Sequence, residues 1–182
     1  MTKIVIGLGN PGKEYEQTRH NVGFLILDAL ALQHNAAFTN KRSLEAEIAE
    51  LTIEETRVVL VKPQTFMNAS GRTFSQLCSK YPVTPEDFLI IHDDADLPFA
   101  DVRIKHGGGS AGHKGIESIL ATIPKGTALS RIRIGIGRPP YSDKPLSEFV
   151  LGSWTSQERK AFEEINKKAI KLIEDEIKEK RV

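Results

Sequence analysis

Two short runs constrain this chain most: Ile4-Val5-Ile6-Gly7-Leu8 near its start and Phe88-Leu89-Ile90-Ile91 half-way along. Neither alternates apolar with polar residues as a half-exposed strand does, and each is short for a buried helix. Both read as strands covered on two faces, residues 3–8 and 87–92. Such strands belong to layered α/β structures, where helices cover both sides of the sheet.

Helices of the right kind are present. Residues 21–34 carry Val22, Phe24, Leu25, Leu27, Leu30 and Leu32 at helical spacing, with Asn21 as a capping residue type. Residues 65–81 form a second helix, closed off by Pro82, and residues 113–123 a third. Residues 157–181 form a long charged helix with Phe162, Ile165, Ala169, Leu172, Ile173 and Ile177 on one face. Residues 46–53 and 56–62 are strands separated by Glu54-Glu55, a hairpin spacing. Residues 102–105 and 128–137 are further strands. The order predicts an α/β fold with a mixed sheet.

The 182 residues fit one domain with a proper core, and no repeat or linker divides residues 1–182. No apolar run approaches the roughly 20 residues of a membrane span. The first residues read as a strand and not a signal peptide. The single cysteine, Cys78, excludes an internal disulfide and is compatible with a reducing cytosol. Beside Phe74 and Leu77 it reads as core packing.

The net charge of +1 hides an asymmetry. Residues 102–139 hold seven Lys or Arg (Arg103, Lys105, Lys114, Lys125, Arg131, Arg133, Arg138) and one acid, Glu117. A basic segment on a balanced chain points to a local anion site, and its glycines and two histidines point to a phosphate-bearing partner.

Two motifs mislead. Gly7-Leu8-Gly9-Asn10-Pro11-Gly12 fits a dinucleotide-binding pattern, yet Pro11 and the polar run after it delay the helix whose amides would hold pyrophosphate. The glycines are better read as a tight loop presenting Asn10. Gly108-Gly109-Ser110-Ala111-Gly112 fits the serine-hydrolase elbow, but no apolar strand ends at Ser110 and no histidine follows His113.

Polar groups follow the strands instead. Asn10 follows the first, Asn68 the strand ending near Lys62, and Asp93 the strand ending at His92. If these strands are parallel neighbours, two amides and a carboxylate meet at one sheet edge. His20, beside a helix start, returns to that edge. An aspartate fixes a histidine's tautomer and stabilises its protonated form. Asparagine amides bind an acyl carbonyl or developing oxyanion. No nucleophilic side chain joins the set, so the chemistry reads as general-base hydrolysis of an acyl compound by water. Asp93, Asp94 and Asp96 also offer a magnesium reading, but their spacing matches no cage. A site without metal or cofactor is favoured.

The same residues stand in a familiar order: GLGNPG, Tyr15, TRHNVGFLILD, KPQTFMNASG, HDDADLP, GGGSAGHKGIESI, RIRIGIGRP and FVLG. From Ile4 to about Trp154 the chain resembles bacterial peptidyl-tRNA hydrolase. The resemblance implies a monomeric, cytoplasmic α/β globule with a twisted mixed sheet surrounded by helices. It implies cleavage of the ester joining a peptide to the 3′ CCA end of tRNA, which recycles tRNA from stalled ribosomes. It implies His20 as general base, with Asp93 holding its basic form. By the same resemblance Asn10 and Asn68 would bind the peptide, Tyr15, Phe66 and Met67 would lie along the cleft, and His113 and Lys114 would contact substrate. Lys105 and Arg133 would clamp the 5′ phosphate beside the acceptor stem, and a flexible region at about 139–152 would border the cleft. One departure stands out: the family usually has asparagine at position 114 and a basic residue at 117, where this chain has Lys114 and Glu117. A charged lysine donates hydrogen bonds but accepts none. The competing expectation is therefore an RNA-binding relative without catalysis.

Overall fold

A computed structural model describes residues 1–139 and 145–179. Strands β1 (Thr2–Gly7), β2 (Thr39–Lys41), β3 (Ala46–Ile53), β4 (Thr56–Pro63), β5 (Phe88–Asp94), β6 (Val102–His106) and β7 (Ser130–Gly135) form one mixed sheet in the order β2-β3-β4-β1-β5-β7-β6. The inner strands β4, β1, β5 and β7 are parallel, while β2, β3 and β6 run antiparallel to their neighbours at the two edges. The carboxyl ends of β1, β4 and β5 therefore share one edge, as the positions of Asn10, Asn68 and Asp93 require.

The doubly apolar runs have the cause expected of them. Val5, Leu89 and Ile91 face a cluster with α1 (Val22–Gln33) and α6 (Phe162–Glu179). Ile4, Ile6, Phe88 and Ile90 face the opposite cluster, with Phe74 and Leu77 of α2 (Ser70–Lys80) and Ile116 and Ile119 of α3 (Lys114–Leu120). Alternate residues of one strand thus close two cores. The layers meet most tightly where β1 passes α1. A Cβ on Gly7 would strike the carbonyl of Gly23, and one on Gly23 would strike the backbone of Leu8. Glycine in the first motif is a packing requirement.

Several boundaries differ from expectation. The first helix starts at Val22 behind a 3-10 turn, Arg19–Asn21, and Asn21 makes no capping hydrogen bond. Its side chain instead accepts from the Asn10 amide and donates to the Asn10 carbonyl, both at 2.9 Å, pinning the loop after β1. The second helix begins at Ser70, after extended Phe66 and a 3-10 turn, Met67–Ala69. The C-terminal helix starts at Ser156 behind a capping box of Thr155 and Glu158, and it is interrupted at Ala161, which separates α5 (Ser156–Lys160) from α6. A short helix, α4 (Leu146–Val150), occupies part of the region expected to be flexible. Residues 140–144 of that region, and residues 180–181 of the last helix, lie outside the described residues.

Candidate active site

The common direction of β1, β4 and β5 brings the expected groups together. His20, in the 3-10 turn before α1, points its Nδ1 at both carboxylate oxygens of Asp93, each at 2.9 Å. Asp93 is 3 % exposed at the end of β5. An ionised carboxylate only accepts, so the nitrogen facing it carries hydrogen. That leaves the His20 Nε2 lone pair available.

His113 approaches the same carboxylate from the other side. Its Nδ1 accepts from the amides of Gly115 and Ile116 at 3.1 and 3.3 Å, capping α3. Its proton must then sit on Nε2, which donates to Asp93 Oδ1 at 2.9 Å. His92 completes the cluster, its Nδ1 donating to the Asp93 carbonyl at 2.7 Å while its ring lies edge-on to His113. Burial alone would push Asp93 up. The electrostatic attraction of the His20 and His113 rings, with the N–H each aims at the carboxylate, overrides it and holds the carboxyl far below its ordinary range. His92 is buried, which drives its pKa well down, helped by His113, so it is a neutral spacer.

His20, Asp93 and His113 are close enough to suggest a metal site, with their ligand atoms within 4.8 Å of one another. The hydrogen bonds oppose it. With Nδ1 of His113 already accepting from two amides, Nε2 keeps its proton and has no lone pair for a cation. The acidic turn is equally committed. Asp94 accepts from Arg133 and from the Asp96 amide, and Asp96 from Arg138.

The pair opens on a cleft of about 570 Å³ lined by Asn10, His20, Asn68, Asp93, His113 and Lys114 at its polar side. Phe66, Met67, Leu146, Val150 and Leu151 supply an apolar wall. The Asn10 side chain is held from behind, its Oδ1 accepting from the Met67 amide at 2.7 Å. Its Nδ2 hydrogens are the groups it can offer a ligand. Asn68 and Phe66 are exposed, and Tyr15 packs edge-on against Phe66 at 6.4 Å.

The succession of motifs now has its geometry. The sequence profile of the family described as Peptidyl-tRNA hydrolase matches residues 4–181. The chain belongs to the peptidyl-tRNA hydrolase family. A peptidyl-tRNA hydrolase of Dichelobacter nodosus is 39 % identical over 183 residues, covering 99 % of this chain and 96 % of that one. One from Rickettsia peacockii is 41 % identical over 157 residues, 86 % and 85 % of the two chains. The crystal structure of a peptidyl-tRNA hydrolase in complex with N-propanol superposes with a TM-score of 0.89 at 35 % identity, covering 97 % of this chain and 89 % of that chain. The Acinetobacter baumannii peptidyl-tRNA hydrolase gives 0.84 at 36 %, with 97 % and 87 % covered.

Not every expected residue meets in the cleft. Lys105 and Arg133 stand on β6 and β7, away from the cleft lining. Arg133 donates to Asp94 at 2.7 Å, while Lys105 is exposed opposite Arg131. His113 lines the cleft while both its ring nitrogens bond within the protein, Nδ1 to the α3 amides and Nε2 to Asp93. Lys114 lines the cleft but pairs with Glu117 at 2.9 Å, which joins the two departures from the family pattern into one ion pair. Sequence reasoning missed Arg19. Buried next to His20, it makes a bidentate pair with Glu158 and stacks on Phe149 at 4.3 Å. Its place in the TRHN segment was the available signal.

Proposed function

We propose that the chain hydrolyses the ester between a peptide and the 3′ end of tRNA, with water as nucleophile and His20 as base. His20 Nε2 takes a proton as the water oxygen bonds to the acyl carbon. The tetrahedral intermediate then expels the ribose oxygen of the terminal nucleotide, which recovers that proton from His20. The products are a free peptide acid and a tRNA hydroxyl. Asp93 stabilises the imidazolium formed between the two steps and keeps the ring in its Nδ1–H tautomer. The amide of Asn10 donates to the developing oxyanion, and Asn68 binds the peptide backbone.

The observation that carries this reading is the His20–Asp93 pair, with its second ring nitrogen available beside two asparagine amides in a partly apolar cleft. The cleft's size sets the division of the substrate. A volume in the range of small-ligand pockets takes an acylated nucleoside, not a tRNA body. The peptide then lies along Tyr15, Phe66 and Met67. The 3′ CCA end enters near Lys114, and the acceptor stem and 5′ phosphate rest on Lys105 and Arg133. On this reading the protein acts as a cytoplasmic monomer that returns tRNA from stalled ribosomes.

The test is release of acid from N-acetyl-aminoacyl-tRNA. Wild-type protein should liberate it in the presence of chelator. Binding of the substrate without release would replace the hydrolase by an RNA-binding role, and loss of release with chelator would revive the metal reading.

A further inference from the structure

Two cations line the cleft among the described residues, Lys114 and Arg138, and they are held differently. Arg138 grips Asp96 through Nε and Nη2 at 3.2 and 2.7 Å. Lys114 has one bond, to Glu117 three residues on, and both side chains are more than half exposed, 68 % and 56 %. An exposed pair of this kind contributes little and is readily exchanged for a better anion. Glu117 itself is outside the cleft lining, so the pair ties the Lys114 ammonium to a carboxylate on α3 that does not face the cleft residues.

The surroundings of Lys114 say which anion this is. The cleft it lines has apolar residues in Phe66, Leu146 and Leu151. Behind it the loop of residues 107–112 leads directly to the basic strands. Arg131 binds the carbonyls of Gly107 and Gly109, and the Lys105 side chain lies against Gly108. Lys114 thus stands at the end of the loop that leaves the basic strand β6, in the same cleft as His20.

Resting on the hydrolase reading above, we propose that Lys114 is a phosphate subsite masked by Glu117. It exchanges Glu117 for the phosphodiester nearest the acylated 3′ nucleoside. The pair would thus make productive binding depend on the nucleotide portion of the substrate, and Glu117 would weaken binding of anything lacking that phosphate to offer.

The experiment compares two small substrates, N-acetyl-aminoacyl-adenosine, which has no phosphate, and the same group on the dinucleotide CpA, which has one. The readout is the ratio of kcat/KM for the second over the first, in wild type, Lys114→Gln and Glu117→Gln. Lys114→Gln should lower the ratio several-fold. Glu117→Gln should raise it, and adding it to Lys114→Gln should change nothing further. Circular dichroism checks that each variant is folded. Equal ratios in all three proteins would overturn the subsite. So would a Lys114→Gln loss as large for the adenosine substrate, because the lysine would then serve the acyl part. A wild type that cleaves neither these substrates nor N-acetyl-aminoacyl-tRNA would overturn the hydrolase reading itself, whereas cleavage with an unchanged ratio removes only the phosphate subsite.

Discussion

At the scale of single residues the proposed chemistry turns on Asp93, whose one carboxylate accepts from two histidines. An amide in its place could accept but would carry no charge to stabilise an imidazolium. Asp93→Asn should lower kcat by about 10²–10⁴, the usual reach of general-base catalysis, with far less effect on tRNA affinity. Steady-state kinetics and a binding titration separate the two. The same group has a stability signature. Its folded pKa is depressed, so its stabilisation is complete above the unfolded value near 3.9 and fades as pH falls through the folded value. Neutral, buried His92 acts over a higher range. Its pKa is depressed too, so the unfolded chain binds the extra proton and stability falls as pH drops below about 6.5. Urea unfolding from pH 7 to pH 5 should show a gentler loss in His92→Asn than in wild type, by up to about 1.4 kcal/mol per pH unit. Equal slopes would mean that His92 does not titrate on unfolding. Residue types were the most legible part of this site: Asn10, His20, Asn68 and Asp93 each follow a readable strand or helix start. The second histidine on Asp93 was not legible as such, because His113 reaches it through a loop whose path depends on left-handed residues such as Gly107, Gly108 and Ala111.

At the scale of elements, the segment carrying His20 is held from two sides. Asn21 pins the loop after β1, and Arg19 reaches across to α5, with its amide also bonded to the Gly152 carbonyl at 3.0 Å. Breaking one member of a largely buried ion pair strands the other. Arg19→Gln should therefore cost about 3–5 kcal/mol in urea unfolding. A loss below about 1 kcal/mol would show that Phe149 stacking and backbone bonds carry the contact. Gly23→Ala should be costly for a different reason, since its methyl group meets the backbone of Leu8 and not a movable side chain. Overpacking of this kind costs about 1–3 kcal/mol or more. The same contacts explain what element reading missed. A capping residue type at position 21 was visible, but its use for a loop partner eleven residues earlier is a tertiary choice. Strand β2 is exposed throughout and lacks an apolar signature. The long amphipathic pattern near the end was read correctly by face, since Ile165, Ala169, Ile173 and Ile177 are buried, yet it concealed the break at Ala161.

At the scale of the whole molecule, a sheet with four parallel inner strands gathers one edge for chemistry, while the basic strands β6 and β7 lie at its side. The α/β class was legible because alternate residues of β1 and β5 close two different cores, and only strands covered on both faces do that. The proposed tRNA path rests on charge legible in residues 102–139, whereas the pairing of Arg133 with Asp94 was not legible there. Lys105, exposed on β6, is the cleaner probe. Lys105→Ala should weaken tRNA binding and reduce the salt slope by about one, and an unchanged slope would remove it from the path. The most direct test of the whole account is single-turnover cleavage of N-acetyl-aminoacyl-tRNA by wild type and by His20→Ala, with tRNA affinity measured alongside. The cleavage rate of His20→Ala should fall by about 10²–10⁴ at nearly unchanged affinity. Cleavage by His20→Ala at the wild-type rate would contradict it.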